Sequence, residues 1–246
     1  MGGQYLEENV RIRYSELDCN LTLKPSSLLQ FLQDLASENA EELGFGYSYI
    51  IKHNLAWFLL KLHIEFDMYP KGLYSLDIKT EPRGYNKLFA FRDFHIKNCG
   101  EIIGRAASTW GLIGIETKSM TNMSEIFVNH PQMQPMEKRE GDLKYNKISP
   151  VTNVSREKLF EVRFDDLDVN QHVNNANYIT WAFEALDFDF RTNMTLKTLD
   201  MVFKKEAKYG EKILVQVEIN ETQTIHSIKN AETNEELCLV LAQWSK

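Results

Sequence analysis

Cysteine is scarce: Cys19, Cys99 and Cys238 are the only three in 246 residues, and they lie far apart without a CxxC pair. Neither a disulfide framework nor a cysteine-based zinc site is therefore expected. A GxSxG nucleophile elbow is missing, and the six histidines show no HxxxH or HxH spacing, so a serine hydrolase and a histidine-ligated metal centre both lack their usual marks. No apolar run approaches the roughly 20 residues that span a bilayer. The opening "MGGQYLEENVRIRY" lacks the charged-then-apolar layout of a secretory signal. Gly2 follows Met1, but Gln4, Tyr5 and Leu6 leave no Ser or Thr where a myristoylation start wants one. Basic excess is absent too. A net charge of -7 provides no tract to release counterions from phosphates and no polybasic anchor for anionic lipid. The expectation is a cytoplasmic protein that binds neither nucleic acid nor membrane.

What is present is a repeat. "RYSELDCNLTLKPSSLLQFLQD" (Arg13 to Asp34) aligns without a gap on "RFDDLDVNQHVNNANYITWAFE" (Arg163 to Glu184), sharing Arg, an aromatic, Leu-Asp and Asn. Two copies in a chain of this length imply an internal pseudo-dimer. Each copy runs into a helix. In the first, Leu28, Phe31, Leu32, Leu35 and Ala36 recur at helical spacing behind Pro25, with Gly44 as the stop. In the second, Tyr178, Trp181, Ala182 and Ala185 mark one face, with Asn174 or Asn175 able to cap the start.

Strand-like runs follow each helix: "AWFLLKLHIEF", "LYSLDIKTE", "FAFRDFHIK" and "IIGRAASTWGLIGI", then "LDMVFKKEA", "ILVQVEI", "TQTIHSIK" and "LCLVLAQW". Each half therefore reads as one strand, one helix and about four antiparallel strands, an α+β class in which a sheet wraps the helix and buries the apolar face of both. Residues 1–115 form the first unit and 156–246 the second. Between them, 116–155 has little periodicity, holds Pro131, Pro135 and Pro150, and reads as a strap, part of it helical.

The copies differ in one chemical respect. Asp18-x-Asn20-x-Thr22 corresponds to Asp168-x-Asn170-x-His172, so only the second carries a titratable base. Asp and Asn suit a helix-entry turn in either copy, whereas His is the side chain best placed to move a proton near neutral pH. A helix starting just after His172 would also aim unsatisfied N–H groups at this segment, and such donors suit a developing oxyanion. Acyl-group hydrolysis is a sensible reaction class. Metal catalysis is the competing use of Asp168 and His172, and it lacks further ligands at suitable spacing.

The stretch "LDVNQHVNNANYITWAFEAL" closely resembles the D-x-N-x-H-V-N-N-x-x-Y-x-x-W-x-x-E signature of the acyl–acyl carrier protein (acyl-ACP) thioesterases. The resemblance implies a tandem, or double, hotdog: two antiparallel sheets, each wrapped around a long helix. It implies hydrolysis of fatty acyl-ACP to free fatty acid; no cofactor is expected, and the ligand count leaves no metal expected either. "FKKEAKYGEKI" looks like the family's second segment, with Glu206 at its glutamate and Ala207 where the family has a cysteine, so no thiol nucleophile can operate there. Asp168, Asn170, His172 and Glu206 are thereby assigned to catalysis, with Glu206 or His172 activating water, or Asp168 attacking directly. Asn174, Asn175, Trp57, Phe58 and Leu60 are assigned to substrate binding, the first half forming the acyl tunnel. An acidic carrier protein needs a local basic landing area, and Lys204, Lys205, Lys208 and Lys147 are the candidates, with Lys138, Arg139, Lys144, Arg156 and Lys158 nearby in sequence. The chain is expected to act as a monomeric pseudo-dimer or a homodimer. Acyl-CoA hydrolysis and non-catalytic binding of an acyl chain or carrier protein are the alternatives.

Overall fold

Alternating segments such as Ser75–Tyr85 and Phe89–Asn98, and near-continuous apolar ones such as Glu236–Ser245, form ten strands in the computed structural model, which describes residues 4–128, 130 and 133–246. Gly2 and Pro131 lie outside the described residues. The first half contains β1 (Leu6–Arg11), β2 (Leu55–Phe66), β3 (Ser75–Tyr85), β4 (Phe89–Asn98) and β5 (Glu101–Gly114). The second contains β6 (Arg156–Glu161), β7 (Thr195–Phe203), β8 (Lys212–Asn220), β9 (Gln223–Asn230) and β10 (Glu236–Ser245). The spatial order β1-β3-β4-β5-β2-β7-β10-β9-β8-β6 reads the same from either edge once each half is renumbered. The two five-stranded sheets join through β2 and β7 into a single antiparallel surface.

At this seam His63 faces Asp200 across the ladder, and His63 Nδ1 lies 2.8 Å from Asp200 Oδ1. Both are buried. The backbone N–H and side-chain amide of Asn146 donate to the two oxygens of Asp200, each at 2.9 Å, so the segment between the halves is pinned across the junction. That segment has no strand among its described residues and one short helix, α3 (Met123–Phe127).

Four other α-helices occur among the described residues: α1 (Pro25–Glu42), α2 (Tyr47–Lys52), α4 (Asn175–Glu184) and α5 (Phe188–Asn193). Pro25 supplies the first-turn φ of α1, and Leu28, Leu29, Leu32, Leu35 and Ala36 form its buried stripe. Each such leucine contributes about 1.5–3 kcal/mol by leaving water. The helix ends where Gly44 adopts φ +82°. Gly44 N–H donates to Glu41 O and Phe45 N–H to Ala40 O, both at 3.0 Å, a Schellman closure that turns Phe45 back into the interior. α4 packs beside α1, burying Tyr178, Ile179, Trp181 and Ala182, and its start is capped by Asn174 Oδ1 accepting from Ala176 N–H at 2.9 Å. Sequence periodicity located α1 and α4 but passed over α2 and α5, which are six residues each and too short to show a helical stripe.

A bulge in β2 decides which side chains face the helices. The pairing with β5 shifts between Leu59 and Lys61, so Leu55 and Leu59 are buried before the shift while Leu62, Ile64 and Phe66 are buried after it. Leu60 sits at the shift, its Cδ1 within 3.2 Å of where a Cβ on Gly111 would stand.

Candidate active site

The loop before α4 is built by Asp168. Its Oδ1 accepts from Asn170 N–H at 2.8 Å and His172 N–H at 3.2 Å, and its own N–H donates to His172 O at 2.7 Å. Asp18 does the same in the first half, accepting from Asn20 N–H at 2.8 Å and Thr22 N–H at 2.9 Å while donating to Thr22 O at 2.8 Å. Gln171 and Leu21 occupy matching left-handed positions, φ 64° and 59°, which the aspartate-held turns impose on residues that seldom adopt them. The repeated Asp is thus a loop staple in both halves.

The next chain segment differs. Val173 N–H donates to Ala207 O at 3.1 Å, just as Leu23 N–H donates to Pro70 O at 3.0 Å, which places Glu206 and Tyr69 in equivalent positions. Ala207 N–H also donates to the hydroxyl of buried Tyr178 at 2.9 Å, fixing Glu206 beside the loop. His172 Nδ1 then lies 3.1 Å from Glu206 Oε2, both side chains partly accessible. In the first half Thr22 and Tyr69 stand in these places, and the Tyr69 hydroxyl is spent on Leu23 O at 2.9 Å. Burial raises the Glu206 carboxyl above its usual range, and nearby Asp168 pushes the same way, while His172 and Lys208 oppose. Sequence reasoning missed Tyr178 as the anchor, because a tyrosine in a helical stripe looks like core alone.

Asp168, Asn170, Asn174 and Asn175 line a solvent-open cleft of about 1430 Å³ whose other wall comes from α1 and the sheet, including Gln33, Asp34, Ser37, Trp57 and Trp110. Asn175 Nδ2 donates to Gln33 Oε1 at 2.8 Å, so the loop of one half is tied to the helix of the other. Asp34 faces the same cleft and burial raises its carboxyl. Adjoining it is an apolar pocket of about 460 Å³, also open to solvent, that shares Ser37, Ala40, Trp57 and Trp110 with the cleft and adds Phe45, Ala90, Phe91, Arg92 and Met133. Of the three wall residues read from sequence, Trp57 lines both spaces. Phe58 packs against the main apolar core, and Leu60 lies over Gly111. Trp110 and Arg92, from β5 and β4, were not anticipated. Among the described residues, no three His, Cys, Asp or Glu side chains gather so as to hold a metal ion.

The acyl-ACP thioesterase N-terminal domain matches residues 3–130, and the acyl-ACP thioesterase C-terminal domain matches residues 150–246. The chain belongs to the acyl-ACP thioesterase family. It is therefore a member of a family of thioester hydrolases. A chloroplastic oleoyl-acyl carrier protein thioesterase of Arabidopsis thaliana is 25% identical, over 100% of this chain and 77% of its own length. One from Coriandrum sativum is 27% identical over 92% of this chain and 66% of its own length. An acyl-ACP thioesterase structure from Bacteroides thetaiotaomicron superposes with a TM-score of 0.87 at 21% identity, covering 98% of both chains, and carries the same double-hotdog fold. No helix of the described residues is long and apolar enough to cross a membrane.

Several basic residues of the candidate landing area of this thioesterase-family chain are paired. Lys204 pairs with Glu236 and Lys205 with Glu235, while Arg156, Lys158 and Arg139 pair with Asp187, Glu184 and Glu81. Lys208 and the exposed Lys147 form no ion pair among the described residues.

Proposed function

We propose that the chain releases free fatty acid from acyl-ACP at the His172–Glu206 pair, with the acyl chain passing Trp57 and Trp110 into the apolar cavity. The supporting observation is the 3.1 Å contact between His172 Nδ1 and Glu206 Oε2, which has no counterpart in the first half. With Nδ1–H donating to the carboxylate, the lone pair of Nε2 is left to take a proton from water. That water adds to the thioester carbonyl. Charge gathers on the carbonyl oxygen, where the Asn170 amide and the Asn175 N–H are available donors; the N–H groups of Asn174, Ala176 and Asn177 are already taken by Asp166 O, Asn174 Oδ1 and Asn174 O. Collapse breaks the C–S bond, and the imidazolium returns its proton to the departing pantetheine sulfur.

Direct attack by Asp168 is less well supported. Its Oδ1 already accepts two backbone N–H groups, and its twin Asp18 makes the same bonds where no base is present. Lys208 and Lys147, with Lys204 and Lys205 at the rim, form the docking surface for an acidic carrier protein in this reading. Thiol release from acyl-ACP and acyl-CoA substrates of increasing chain length tests it. Faster release from the carrier thioesters is expected; tight binding without release would replace hydrolysis by a binding role.

A further inference from the structure

Alternate residues of β4 point toward the helices: Ala90, Arg92, Phe94 and Ile96 are all buried, and Arg92 is only 6% exposed. Its Nη1 donates to two neutral acceptors, Asn39 Oδ1 at 2.8 Å and Thr80 Oγ1 at 2.9 Å. Among the described residues, Nε and Nη2 have no protein acceptor and no carboxylate pairs with the group, and neither nitrogen is wholly sealed from solvent. Arg83, on the neighbouring strand, is equally buried but has its charge paired between Asp93 and Asp142, although its own Nε lacks a partner. A largely buried arginine without an anion costs free energy that its own packing does not return. Desolvation lowers its pKa to about 10, so the guanidinium still carries its charge at neutral pH.

Arg92 belongs to the wall of this apolar pocket, whose other residues are almost entirely apolar: Ala36, Ala40, Phe45, Phe91 and Met133 among them. A single cation in such a wall matches a ligand that is mostly hydrocarbon and carries one oxygen. We infer that Arg92 is a specificity-determining residue that reads an oxygen, hydroxyl or carboxylate, on the distal part of the fatty chain occupying this cavity. The inference deepens the proposed function by naming the substrate class. A plain alkyl chain would expel water from the cavity and leave the Nε and Nη2 donors unpaired, whereas an oxygenated chain of equal length would accept from them. Sites built to hydrogen-bond a ligand group discriminate strongly against analogues lacking it.

Trp57 and Trp110 in the wall give a readout that does not depend on turnover. Tryptophan emission is titrated with a saturated fatty acid, its distal hydroxy analogue and the α,ω-dicarboxylic acid of equal length, for wild type, Arg92→Met and Arg92→Lys, with melting curves for each. Wild type is expected to bind an oxygenated ligand at least about tenfold more tightly than the plain acid. Arg92→Met should erase that preference. Arg92→Lys should keep it for the dicarboxylate if charge is what is read, and the hydroxy acid should match the dicarboxylate if hydrogen bonding suffices. Equal or tighter binding of the plain acid by wild type, or a preference that survives in Arg92→Met, overturns the inference. Should Arg92→Met fail to fold, the wild-type comparison alone decides. Preferential binding without thiol release would leave this inference standing and sink the hydrolytic reading instead.

Discussion

The loop ending at Thr22 and the loop ending at His172 share the aspartate staple and a left-handed residue before the end, yet only one carries a titratable base. The difference comes down to two side chains contributed by separate segments: Thr22 against His172, and Tyr69 against Glu206. Duplication provided two identical scaffolds, and the shared residues are those the scaffold needs. The proposed chemistry sits where the copies disagree.

The sharpest way to strain this contrast is to remove the orienting carboxylate. Glu206→Gln should lower kcat by about a hundredfold, the lower end of what positioned acid–base groups supply. In wild type, kcat/KM should rise as pH increases through the elevated Glu206 pKa, because the carboxylate form orients the imidazole. That limb should lie above the ordinary Glu value of about 4.3 and vanish in the variant. A limb unchanged in Glu206→Gln would assign it to another group.

The aspartates sharpen the comparison next. Asp18→Ala and Asp168→Ala each remove two backbone hydrogen bonds and should each cost about 1–3 kcal/mol in urea unfolding. Asp168→Ala alone should also depress kcat, because its loop carries His172. Equal activity losses in the two variants would mean that the halves are coupled in a way that the staple does not explain.

How far sequence could reach follows the same division. Helical spacing behind Pro25 and the glycine stop placed α1, and strand alternation placed eight strands, because burial of one face leaves a periodic trace. The repeat pointed to the pseudo-dimer, and the His-for-Thr exchange singled out the copy to which the chemistry is assigned. The His172–Glu206 contact was reachable only by family likeness, since two segments more than thirty residues apart leave no local signal of meeting. The β2 bulge is likewise invisible in composition, and it is what puts Trp57 on the cavity side and Leu60 elsewhere.

Smaller effects belong to the cavity and the rim. Trp57→Ala should raise KM for long acyl chains severalfold and leave short chains nearly unaffected; equal changes at all lengths would remove Trp57 from the acyl path. Reversing Lys147 and Lys208 together should raise KM for the carrier substrate two- to fivefold, about 1 kcal/mol or less as rim charges allow, and should flatten its salt dependence. Unchanged salt dependence would move the docking surface elsewhere.

Thiol release from acyl-ACP by wild type, His172→Ala and the mirror-image variant Thr22→Ala, measured side by side, bears most directly on the account. A loss of at least about a hundredfold in His172→Ala with Thr22→Ala near wild type is the predicted result. Substantial turnover in His172→Ala, or an equal loss in Thr22→Ala, would contradict the assignment of the chemistry to one copy of the loop.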